Sequence, residues 1–138
     1  MYFCLDEDGN VLECDMRQWG LCFSRQDRSI AFTKISKKVY LSTVFLGLDH
    51  SFGSMRPVLF ESMLFGKKEG ELQLRYCTRE EALKGHLKIL LYYKVPLKKI
   101  FSLESFRGNS RFHVQSLKFF KQMIKDKDFL EELKNFEP

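Results

Sequence analysis

Four residues of types that carry acid/base or metal chemistry lie at or near the main apolar runs of the chain. Asp49 and His50 follow "VYLSTVFLGL", Glu61 sits inside "VLFESMLF", and His86 lies on the apolar side of "REEALKGHLKILLYYK". If those segments meet, two carboxylates and two imidazoles form a constellation able to bind a divalent cation or move protons. The spacing is non-local, and the residues also admit a structural reading, which is the preferred one. In it Asp49 caps a loop, Glu61 accepts hydrogen bonds from backbone amides beneath that loop, and His86 is a satisfied, semi-buried ring. Asp49, His50, Glu61 and His86 are therefore expected as one polar cluster. No catalytic or metal-binding role is assigned to them, and no cofactor is expected.

The remaining reactive groups point away from common enzyme classes. Neither a Gly-x-Ser-x-Gly nucleophile motif nor a phosphate-cradling glycine loop is present. Cys4, Cys14, Cys22 and Cys77 lack both a CxxC spacing and a neighbouring His cluster, which excludes a zinc ribbon or a thioredoxin-like motif. Free thiols in a reducing compartment are expected. One pairing is the exception: with Asp8-Gly9-Asn10 as a hairpin loop, Cys4 lies directly opposite Cys14 and can be cross-linked.

The elements that must position these groups are readable from periodicity. "YFCLDEDGNVLECD" is a hairpin around an Asp-Gly-Asn turn. Asp15 with Gln18 makes a reciprocal cap for a short helix over residues 16–23 that packs Trp19 and Phe23. "SIAFTKI" and "VYLSTVFLG" are β-branched and aromatic runs separated by "SKK", hence a second hairpin, and "VLFESMLF" and "LQLRYC" are two further strands. Thr78 caps a helix with Glu81 at its third position, and Pro96 ends it. "LKKIFSLE" reads as a further strand or an extended connection. Asn109 or Ser110 starts a tail helix with Phe112, Leu117, Phe120 and Ile124 as its stripe, and Asp128 with Glu131 caps a last short one. The expected fold class is α+β: a small, mostly antiparallel sheet of four to five strands, one packing helix and a C-terminal helical tail.

Three blocks, "VYLSTVFLGLDHSFG", "RPVLFESMLFG" and "RYCTREEALKGH", resemble a family of small uncharacterised proteins, many from phages and actinobacteria. The family pattern is approximately VSTVFLGLDHNFG, GPPLLFETMVFG and RYSTxEEAxxGH, and the resemblance covers about residues 9–90. This chain departs from it at Ser51, Ser62, Cys77 and in "SMRP". The resemblance implies that Asp49, His50, Gly53, Glu61, Gly85 and His86 form one locus, with Gly85 allowing the helix to approach the sheet closely. It also implies a phage-encoded protein. The tail from Pro96 onward lies outside the pattern.

Length and charge bound the function. The 138 residues, 44% apolar and 30% charged with fourteen Phe, suit one core, expected as a domain over residues 1–96 carrying a helical extension over 97–138. No apolar run reaches the roughly 20 residues of a membrane span, and the start lacks the pattern of a secretory signal, so a cytoplasmic protein without a membrane partner is expected. Residues 1–70 carry nine Lys and Arg against nine Asp and Glu, whereas 71–138 carry fourteen against nine, so the whole excess of +5 sits in the second half. The preferred function is a non-enzymatic accessory protein that binds a host or viral macromolecule, with a protein as the expected partner. Nucleic acid is possible through the basic half, and so is a homo-oligomer. The alternative is a small metal-dependent or acid/base enzyme using the Asp/His/Glu/His cluster. Partner contact is expected in the tail, through Phe119 or Phe120 within a rim of Lys118, Lys121 and Lys125, on an appendage that can be removed from residue 105 onward without unfolding the rest.

Overall fold

In the computed structural model, residues 1–25, 28–51, 56–67, 72–102 and 112–138 are described. Strands β1 (Tyr2–Leu5) and β2 (Val11–Cys14) form an antiparallel hairpin. Its turn begins two residues earlier than the loop expected from Asp8-Gly9-Asn10. Asp6 Oδ1 accepts the backbone N–H groups of Asp8 and Asn10 at 2.9 and 2.8 Å, an Asx turn that sets the whole of 6–10 aside as loop, with Gly9 at φ +82°. The strand register shifts accordingly: Tyr2 faces Cys14 and Cys4 faces Leu12, so Cys4 and Cys14 are diagonal neighbours rather than opposite ones.

Helix α1 (Met16–Arg25) follows, with the expected reciprocal cap: Gln18 N–H donates to Asp15 Oδ1 at 2.7 Å and Asp15 N–H donates to Gln18 Oε1 at 3.2 Å. Trp19 packs against Tyr2 and Phe23 in tilted ring contacts, with centroids 5.4 and 4.6 Å away, and the Tyr2 contact holds α1 on the hairpin.

Strands β3 (Ser29–Lys34), β4 (Tyr40–Phe45), β5 (Phe60–Phe65) and β6 (Leu72–Tyr76) form a second sheet, antiparallel throughout and ordered as in sequence. The hairpin β1–β2 joins it through a bridge from Tyr2 to Leu48 and a bond from Phe3 N–H to the Gly47 carbonyl. Period-two alternation sorts the side chains: Thr33, Leu41, Thr43, Phe45, Phe60, Ser62 and Leu64 are buried on the face that meets the helices. This is the expected α+β class.

Helix α2 (Arg79–Tyr92) lies across that face and touches all four strands. Thr78 Oγ1 accepts the Glu81 N–H at 3.1 Å, and Glu80 and Glu81 place negative charge at the positive end of the helix. Gly85 stands where a Cβ would overlap the Tyr76 ring, so the close approach of helix to sheet requires glycine there. The helix ends before Pro96. Lys94 adopts φ +58°, its N–H bonds the Leu91 carbonyl, and Val95 N–H reaches back to Leu90, a Schellman arrangement with lysine in the place glycine usually takes.

"LKKIFSLE" is neither strand nor extended connection where it is described: Leu97–Ile100 makes one helical turn, α3, started by Pro96 and anchored by buried Ile100. The expected helix starts Asn109 and Ser110, and Gly53 of the expected locus, lie outside the described residues. Helices α4 (His113–Met123) and α5 (Lys127–Lys134) complete the chain. The cap of α5 is Asp126, whose carboxylate accepts the Phe129 N–H at 2.9 Å, two residues before the expected Asp128.

The described residues of the C-terminal extension, 97–102 and 112–138, supply part of the core. Phe112, Phe120 and Phe129 are 1%, 0% and 1% exposed and belong to one apolar cluster with Ile30, Leu41, Leu87 and Leu90. Ser116 Oγ donates to the Ile30 carbonyl at 2.6 Å, tying α4 to β3, and Lys88 pairs with Glu132 at 2.7 Å, tying α2 to α5. Removing residues 105–138 therefore exposes the helix-bearing face of the sheet, and the truncated chain is expected to lose cooperative thermal unfolding; a sharp melt would contradict this. Lys94→Gly relieves a left-handed backbone and should raise stability by about 1 kcal/mol, read as a shift of the urea midpoint at unchanged slope.

Candidate functional site

Two places gather the residues singled out from sequence: the interior around His86 and the surface between α2 and α4. His86 points from α2 into the sheet and is fully buried. Its Nε2 lies 2.9 Å from Thr33 Oγ1 and its Nδ1 lies 2.7 Å from Thr43 Oγ1. Thr43 Oγ1 in turn meets Ser62 Oγ at 2.5 Å, so one hydroxyl from each of β3, β4 and β5 belongs to a chain that runs Thr33, His86, Thr43, Ser62. A neutral imidazole has one donor and one acceptor, and the hydroxyls rotate to match either tautomer. Phe120 of α4 closes the site, stacked on the ring at 5.6 Å and 8°. Burial without a compensating charge pushes the His86 pKa down from 6.5 to about 3.

Glu61 is on the other side of the sheet. It neighbours Ser62 in β5, and successive strand residues point to opposite faces, so the inward place goes to Ser62. Glu61 accepts from Gln73 Nε2 at 2.6 Å and from Arg75 Nε at 2.9 Å, both side chains of β6 rather than the backbone amides expected. The Glu61 side chain is 11% exposed and its partner Arg75 39%, so the pair is sheltered on one side only.

Asp49 stays at the loop. Its Oδ1 accepts the N–H of Ser51 at 2.8 Å and of Val58 at 3.0 Å, and these backbone donors, Val58 foremost, hold its carboxyl below the usual carboxylate range. His50 adds a backbone bond from its N–H to the Val58 carbonyl. The capping role foreseen for Asp49 is the one it has. Among the described residues no hydrogen bond or ion pair joins any two of Asp49, His50, Glu61 and His86, so the single cluster resolves into three separate sites. No group of three His, Cys, Asp or Glu among them is arranged to hold a metal ion.

The tail residues divide in a similar way. Phe120 is not a surface anchor, since it is the lid over His86. Phe119, one residue earlier and about 100° around the helix, is half-buried and borders an open groove of about 310 Å3. Arg79, Glu80 and Leu83 of α2 form one wall, and Gln115, Lys118, Phe119 and Gln122 of α4 form the other. Arg79 Nη1 donates to the Asp8 carbonyl at 2.7 Å and to Gln115 Oε1 at 3.1 Å, and Gln115 Nε2 donates to the same carbonyl at 3.1 Å. The rim is thus braced by the β1–β2 turn. Glu80 also pairs with Lys84 at 3.5 Å, and the groove is lined by two cations, Arg79 and Lys118, against this one anion. Lys121 lies 5.9 Å from the Phe101 ring and Lys125 is exposed beyond the groove.

No family model, curated protein or solved structure matches the chain. Among the described residues no helix is long and apolar enough to cross a membrane.

Sequence reasoning passed over Thr33, Thr43 and Ser62, which define the surroundings of His86. Their signal is a hydroxyl at an inward position of three consecutive strands, a parity seen only once strand phase is known. Arg79 and Gln115 were passed over because only the fold brings the two helix starts beside one turn.

The buried imidazole predicts an acid sensitivity. The unfolded chain binds a proton near pH 6.5, whereas the folded one resists it down to about 3, so the stability tied to neutral His86 is complete above 6.5 and falls as pH drops through that window. The limiting slope is about 1.4 kcal/mol per pH unit. In urea titrations from about pH 7 to about pH 4, His86→Gln should be less stable at neutral pH yet show a shallower loss. Equal slopes would contradict the assignment.

Proposed function

We propose that this protein is a non-enzymatic accessory factor that acts by binding a macromolecule, and that it does so at the α2–α4 groove. The observation that carries the reading is the position of Phe119 and Lys118: an aromatic side wall and a cation on the rim of the same opening, with Leu83 opposite. An opening of about 310 Å3 takes one or two side chains and not a whole domain. The occupant that fits is a short acidic protein segment with one apolar side chain seated between Leu83 and Phe119 and a carboxylate at Lys118 and Arg79. Acid/base chemistry is less well supported, because His86 is sealed behind Phe120 and both its nitrogens are taken by threonine hydroxyls. The resemblance of the three sequence blocks to a phage-rich family supports a phage-encoded origin, a host or viral partner, and a cytoplasmic setting.

Lys118→Glu reverses the rim charge at an exposed position and should leave thermal stability within about 0.5 kcal/mol. Against a panel of acidic peptides carrying Leu or Phe, it and Phe119→Ala are expected to weaken binding at least tenfold, while Lys37→Glu on the β3–β4 turn has no effect. Equal loss with Lys37→Glu, or no peptide bound at all, would sink the groove as the site. Tight oligonucleotide binding with a steep salt dependence would move the partner class to nucleic acid.

A further inference from the structure

Three of the four cysteines meet where α1 lies on the β1–β2 hairpin. Cys4 and Cys14 sit on the same face of the two strands as Leu12, and their Sγ atoms are 2.7 Å apart. Cys22, from the middle of α1, is the third thiol at Cys4. All are free. Cys4 is buried while Cys14 and Cys22 are half-buried. They form the floor of a groove of about 310 Å3 whose apolar walls include Leu5, Leu12 and Leu21. Leu12 and Leu21 are about half exposed, so the groove opens to solvent.

We infer that Cys4 and Cys14 form a reversible disulfide site that reacts with small disulfide oxidants entering through this groove. Two features support it: the Sγ atoms already lie 2.7 Å apart, and the less buried of the two thiols lines an open groove. Burial holds the Cys4 thiol in its protonated form, well above the usual thiol range, so Cys14 is the first to react. With oxidised glutathione, the Cys14 thiolate attacks one sulfur of the oxidant. A Cys14–glutathione mixed disulfide forms and one glutathione thiolate leaves. Cys4 then gives up its proton to solvent and its sulfur attacks Cys14 Sγ, which expels the second glutathione thiolate. Two protein thiols are oxidised and one glutathione disulfide is reduced to two thiols. Cys22 stays reduced, and Cys77, just past the end of β6, serves as the internal control.

The test equilibrates the full chain with glutathione buffers, blocks remaining thiols by alkylation and maps the cysteines by peptide mass spectrometry. The expected product has lost two hydrogens, contains a Cys4–Cys14 linked peptide, carries alkyl groups on Cys22 and Cys77, and reverts with excess reduced glutathione. Cys14→Ser should remove the cross-link, and Cys22→Ser should retain it. The inference is overturned if the wild-type chain stays fully reduced, if it stops at glutathione adducts, or if the bond joins Cys22 to either partner.

Discussion

A neutral imidazole buried between a helix and a sheet organises this molecule. His86 must have both ring nitrogens satisfied, since an unpartnered buried polar atom costs about 1 to 3 kcal/mol. Thr33 and Thr43 meet that demand directly and Ser62 completes the hydroxyl chain through Thr43. The requirement constrains three strands at once, because a one-residue slip in β3, β4 or β5 would turn its hydroxyl to the other face. It also settles the height of α2 over the sheet, and Gly85, next to His86, is what allows that height against Tyr76.

The same ring makes the C-terminal segment indispensable. With α2 on the sheet, His86 still has one open side, and Phe120 covers it by stacking in parallel. Phe112 and Phe129 bury themselves at the neighbouring positions of the same cluster, so the tail's aromatic residues divide between core and surface by helical phase. Of the adjacent pair, Phe120 faces in and Phe119 lies at the boundary. That division leaves the α2–α4 groove as a feature of the tertiary structure with an aromatic wall and a basic rim. Its bracing by Arg79, Gln115 and the Asp8 carbonyl means the groove is preformed, which lowers the ordering cost of seating a ligand.

The β1–β2 hairpin carries α1 on one side, and its Phe3 and Leu5 belong to the main buried core. It is held by the Trp19 ring contacts, the Tyr2–Leu48 bridge and the Phe3 to Gly47 bond. A two-stranded ribbon is marginal without a covering element, and α1 supplies one. The thiols lie where α1 meets the hairpin, on residues separate from those that surround His86.

Local chemistry made much of this readable from the chain alone. The cap at Asp15 and Gln18, the cap at Thr78 and Glu81, the four strands of the main sheet and the need for glycine at position 85 are all short-range statements about backbone donors, strand alternation and steric room. Turn details were less legible, because the Asp6 carboxylate competes for the amides of 8 and 10 and shifts the Cys4–Cys14 register by two. Long-range matters were decided only by tertiary structure. Glu61 and Ser62 are equally polar and adjacent in sequence, and which of them faces His86 depends on strand phase set by all four strands together. Whether the tail is ornament or core depends on the open side of one imidazole. That side exists only after the helix has docked, so no pattern within the tail itself can announce it.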